Sequence, residues 1–108
     1  MNIIESDNYK KSYKKLLKTG VREKERIENI KNLLISKKTL HDVMIDPLQN
    51  VYHIEQLTGN RHEYSARLNN SNNKIRLIMK PVGNYPYNIM EITDIIFDDV
   101  DNYHYERG

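Results

Sequence analysis

Two short alternating runs around a polar tetrad constrain this chain more than any other feature. In residues 64–68, Tyr64, Ala66 and Leu68 take every second position, and in residues 75–79 Ile75, Leu77 and Met79 do the same. Alternation at period two puts each set on one face of a strand. Asn70-Ser71-Asn72-Asn73 between them has the composition of a turn. A four-residue turn there pairs Leu68 with Ile75, Ala66 with Leu77 and Tyr64 with Met79, which gives one consistently buried face. The same register sets Arg67 opposite Arg76. Like charges directly across a strand pair repel. The pattern therefore calls for an anionic ligand such as phosphate, for a carboxylate (Glu55 or Glu91) in a structural network, or for a bulge that slips the register.

Ahead of this hairpin the pattern is helical. Tyr9, Tyr13, Leu16 and Leu17 share one side of a helix whose other side holds Lys10, Lys11, Lys14, Lys15 and Lys18, and Thr19-Gly20 ends it. Ile27, Ile30, Leu33 and Leu34 form the apolar stripe of a second helix starting near Val21, with Lys37-Lys38 suited to the negative end of its dipole. Asp46-Pro47 marks a break. Beyond the hairpin, residues 81–87 are loop-like, and residues 89–100, rich in Ile, Met and Phe, supply a last strand with a possible interruption near Asp94. The expectation is a single α+β domain over residues 1–108, two N-terminal helices packed on a twisted, mostly antiparallel sheet.

Charge is unevenly spread. Residues 1–40 carry eleven Lys and Arg against five Asp and Glu, whereas residues 83–108 carry one against six. A basic segment suits a polyanion, because phosphate contacts release counterions, and it equally suits a solvated helix face. With no cysteine, disulfides, thiol nucleophiles and cysteine metal sites are excluded. No apolar run approaches membrane-spanning length, so the expected setting is cytoplasmic, without a membrane partner. His41, His53 and His62 have no zinc-ligand spacing. His53 shares strand parity with Glu55 and is a minor candidate for the site.

Leu57-Thr58-Gly59-Asn60-Arg61, Tyr64-Ser65-Ala66-Arg67-Leu68, Ile75-Arg76-Leu77-Ile78 and Tyr103-His104 follow one another in this order. The set resembles the RelE/HigB-type toxins of bacterial type II toxin–antitoxin systems, whose corresponding stretches read L-K-G-D/N-R, W/Y-S-x-R-I/V, Y/W-R-I/L-x-F and a terminal D-Y-H. The Lys18-Thr19-Gly20 helix end and residues 44–47 look like the HigB branch. Two departures stand out: Thr58 replaces the lysine before the glycine, and the turn between Leu68 and Ile75 and the connection after Pro81 are longer than usual. Met90-Glu91-Ile92-Thr93-Asp94 also resembles the family's V-E-I-V-D, an alternative alignment that leaves no terminal histidine; the later match, ending in Tyr103-His104, is preferred.

The resemblance implies a microbial-ribonuclease-like fold and ribosome-dependent cleavage of messenger RNA. It also implies control by a cognate antitoxin, expected to be a helix-turn-helix protein through which alone operator DNA would be bound. In this reading Glu55, as in the YoeB-like branch, is the general base that takes the 2′-hydroxyl proton. Arg67 and Arg76 neutralise the phosphorane, His104 protonates the leaving 5′-oxygen, and Tyr103 or Tyr105 stacks on a base or aligns the phosphate. No metal or other cofactor is needed. The alternatives are a ParE-like toxin that binds DNA gyrase without cutting RNA, and a plain RNA-binding module.

Overall fold

The computed structural model describes residues 1–16, 20–59, 61–69 and 75–102. It contains strand β1 (Asn2–Glu5), helices α1 (Asp7–Leu16), α2 (Val21–Ser36), α3 (Leu40–Met44) and α4 (Leu48–Val51), then strands β2 (Glu55–Gln56), β3 (Tyr64–Arg67), β4 (Ile75–Pro81) and β5 (Asp94–Asn102). The strands form one sheet in the order β1-β5-β4-β3-β2, in which only the β1–β5 pair is parallel. This is the expected α+β architecture.

The β3–β4 register follows from the alternation. Tyr64 pairs with Met79, Ala66 with Leu77 and Arg67 with Arg76, and the Leu68 amide donates to the Ile75 carbonyl at 2.9 Å. Tyr64, Ala66, Leu77 and Met79 are buried and join Ile95 and Phe97 of β5 in one apolar layer. Tyr9 and Leu16 of α1, and Ile27, Ile30, Leu33 and Leu34 of α2, fill that layer from the helical side. Tyr9 meets Phe97 edge-on at 5.5 Å, a favoured aromatic arrangement.

Strand β5 carries one extra residue. Met79 pairs with Phe97 but Ile78 pairs with Asp99, so Asp98 is bulged out. Ser6 and Asn8 answer the bulge: their side chains donate to the Asp98 carbonyl at 2.9 and 3.1 Å. The Ser6 hydroxyl also accepts from the Tyr9 amide at 3.0 Å, as an N-cap does. One side chain thus starts α1 and ties it to the sheet.

Several expectations need correction. The last strand begins at Asp94 and not at Ile89; Leu40 and His41 instead donate to the carbonyls of Ile92 and Ile89 at 2.9 and 3.0 Å, which docks α3 on this segment. His53 is not in a strand but in a turn with φ 50°, so its parity with Glu55 is lost. Two further helices follow the expected pair, and α3 is fixed by a capping box between Thr39 and Asp42. Lys37 stands at the C-cap of α2, and its ammonium pairs with Asp46 at 2.9 Å.

Phe97 is fully buried where α1 meets the middle of the sheet. Phe97→Ala is expected to lower unfolding free energy by about 3–5 kcal/mol, measured by urea denaturation.

Candidate active site

With the apolar layer turned to the helices, the alternate residues of the strands share the opposite face. Side chains paired across a ladder stand together on one face, so the register defines rows. One row runs Arg67, Arg76 and Asp101, and the next runs Glu55, Ser65 and Ile78. The opposed arginines are therefore real neighbours, and β2 brings Glu55 beside them.

Compensation within these rows is unequal. Arg76 is 4% exposed, and its Nη1 donates to Ser65 Oγ at 3.1 Å and to Glu55 Oε1 at 3.3 Å. On its other side lies Asp101. Of the two carboxylates considered from sequence, Glu55 holds this role. Glu91 is exposed in the turn before β5 and pairs with neither arginine among the described residues. Arg67 has no such partner among the described residues. No carboxylate forms an ion pair with it among the described residues, and its Nε is buried without a hydrogen bond.

The backbone at Arg67 is nonetheless held firmly. Its amide donates to the Tyr52 carbonyl at 2.7 Å. Arg26 of α2 donates from Nε to the Arg67 carbonyl at 2.7 Å and from Nη2 to the Val51 carbonyl at 2.6 Å, while its guanidinium sits 4.9 Å from the centre of the Tyr52 ring. A cation spent on two carbonyls and a ring fixes where β3 ends, and so where Arg67 stands.

The site thus brings together Glu55, Arg67 and Arg76, three of the five residues expected from sequence. Tyr103 and His104, the other two, lie outside the described residues, as does Tyr105. Strand β5 runs to Asn102, which pairs with Ile75, the residue before Arg76. Thr58 is exposed after β2. His41, His53 and His62 belong to separate elements, and no group of His, Asp and Glu able to hold a metal occurs among the described residues. Among those residues, too, no helix is long and apolar enough to cross a membrane.

Two residues at the site, Ser65 and Arg26, are not singled out by the sequence pattern. Ser65 shares strand parity with Arg67 and so was readable as its neighbour on the same face. Arg26 gave no signal, because its partners are backbone carbonyls distant in sequence.

The chemistry available here is that of a carboxylate next to two guanidinium groups. Glu55 keeps 57% of its side-chain surface exposed although it pairs with Arg76, so a substrate proton can reach it. The guanidinium of Arg67 offers a planar fork suited to phosphate oxygens. Comparison with family models, curated proteins and solved structures gives no match.

The asymmetry between the arginines has a measurable consequence. Arg76→Ala removes the buried donor to Ser65 and leaves a void, and is expected to cost about 1–3 kcal/mol. Arg67→Ala relieves repulsion and should leave stability unchanged or slightly raised. Urea denaturation of both variants checks the difference.

Proposed function

We propose that this chain is a metal-independent endoribonuclease of the toxin type that cuts messenger RNA by attack of its own 2′-hydroxyl. The observation that carries this reading is the juxtaposition of Glu55, Arg76 and Arg67, with Arg67 unpaired among the described residues. Glu55 takes the 2′-hydroxyl proton, the 2′-oxygen bonds to phosphorus, and the 5′-oxygen leaves with a proton from His104. The products are a 2′,3′-cyclic phosphate and a free 5′-hydroxyl. Arg67 neutralises charge on the phosphorane; Arg76 does so while keeping Glu55 in place. Tyr103 stacks on a base or aligns the phosphate.

The motif resemblance supports the rest of the reading: action on the ribosome and silencing by a cognate helix-turn-helix antitoxin. Lys10, Lys11, Lys14 and Lys15 are all exposed on α1, a basic face suited to an acidic antitoxin segment or to ribosomal RNA.

Brief induction in bacteria followed by primer extension tests the proposal. New 5′ ends inside translated regions are expected for the wild type. Cleavage should fall roughly 10²–10⁴-fold in Glu55→Gln, which keeps size but cannot take the proton, and roughly 10²–10³-fold in Arg67→Ala. Intact transcripts with wild-type protein would overturn the reading. If DNA damage accompanied them, gyrase poisoning would take its place.

A further inference from the structure

The same sheet face continues past the arginines. Arg76, Ile78 and Lys80 alternate along β4, so Lys80 stands on the face of Arg76, about 13 Å further along at roughly 3.3 Å per residue. There a groove of about 540 Å³ opens, lined by Arg61, Glu63, Lys80, Tyr85, Tyr87 and Asp98 among others. Its wall is aromatic. His62 and Tyr85 are stacked with ring centres 3.7 Å apart and planes 7° from parallel. Tyr87 meets Tyr85 edge-on at 5.7 Å. Burial first, and then the carboxylate of Glu63, pushes the Tyr87 hydroxyl pKa upward. It remains protonated at neutral pH and donates to the His62 carbonyl at 2.8 Å.

Tyr85 is 52% exposed even though His62 covers one of its faces. Two neighbouring rings, His62 and Tyr87, hold Tyr85 in place while leaving it open to solvent. Arg61 and Lys80 are exposed cations at the groove, and the bulged Asp98 adds carboxylate oxygens that accept hydrogen bonds. A stacked yet open ring, flanking cations and an acceptor are what a single-stranded nucleic acid needs: stacking for the base, charge for the backbone, and a partner for an amino group.

We propose that the His62–Tyr85 groove is a base-binding subsite that takes an unpaired, amino-bearing nucleobase of the RNA strand whose phosphate meets Arg67. This rests on the ribonuclease reading and adds to it a determinant of sequence preference. Lys80 and Arg61 carry the backbone between the two sites, and Asp98 accepts from the exocyclic amino group, which favours cytosine over uracil.

Fluorescence anisotropy with labelled oligocytidine and oligouridine at low salt tests the subsite. Oligocytidine is expected to bind about ten-fold more tightly than oligouridine, and Asp98→Asn to abolish the difference. Tyr85→Ala should weaken oligocytidine binding roughly five- to a hundred-fold, while Tyr85→Phe keeps it. His62 has φ 55°, so His62→Asn, which tolerates that backbone, removes the ring without new strain and should weaken binding as well. Binding lost in Arg67→Ala but untouched in Tyr85→Ala, with cytosine and uracil equal, would overturn the subsite and leave the ribonuclease reading standing. No binding of either oligomer by wild-type protein would also overturn the subsite. The ribonuclease reading falls separately, on intact transcripts after induction.

Discussion

The pairing of Tyr64 with Met79 and Ala66 with Leu77 is the constraint on which the rest of the structure depends. A strand register has no intermediate settings: a shift of one residue turns every side chain to the other face. Once these four side chains are committed to the helical layer, Ser65, Arg67, Arg76 and Ile78 are committed to the opposite face. The repulsion between Arg67 and Arg76 is then a consequence of core formation. Burial of four side chains, each worth on the order of 1–3 kcal/mol, outweighs one partly compensated like-charge contact.

The compensation divides the two arginines into different roles. Arg76 is buried against Ser65 and Glu55 and lies opposite Asp101, so it serves the protein's own electrostatics while holding a carboxylate in position. Arg67 stands at the end of β3, where Arg26 and Tyr52 hold its backbone. The firm hold on the main chain contrasts with a guanidinium that forms no ion pair among the described residues, which is why the proposed function gives it the phosphate. Farther along the same face lie the stacked rings of His62 and Tyr85, so the proposed phosphate and base sites share one side of the sheet.

Much of this was legible in the sequence because it is local. The hairpin register and the arginine pair follow from period-two alternation, and the stripes of α1 and α2 from Tyr9 and Leu16 and from Ile27, Ile30, Leu33 and Leu34. Glu55 was legible as a candidate, though its ion pair with Arg76 favours the structural compensation that phosphate was asked to supply. The rest depends on partners far away in sequence. Strand β1 is four residues with no periodicity and exists because β5 offers it an edge. Residues 89–93 have strand-like composition, but α3 takes up the carbonyls of Ile89 and Ile92. The capping box at Thr39 and Asp42 was readable and would have revealed α3. The clamp by Arg26 and the ring stack of His62 on Tyr85 leave no trace in any local pattern.

The proposed function depends on the Arg67 guanidinium acting as an anion site left open by the hairpin register. A ligand that binds only the folded state raises its melting temperature by mass action. The direct measurement is the thermal midpoint of wild type and Arg67→Ala as inorganic phosphate is titrated at constant ionic strength. A saturating rise is expected in the wild type and not in Arg67→Ala. Equal rises in both proteins would contradict it.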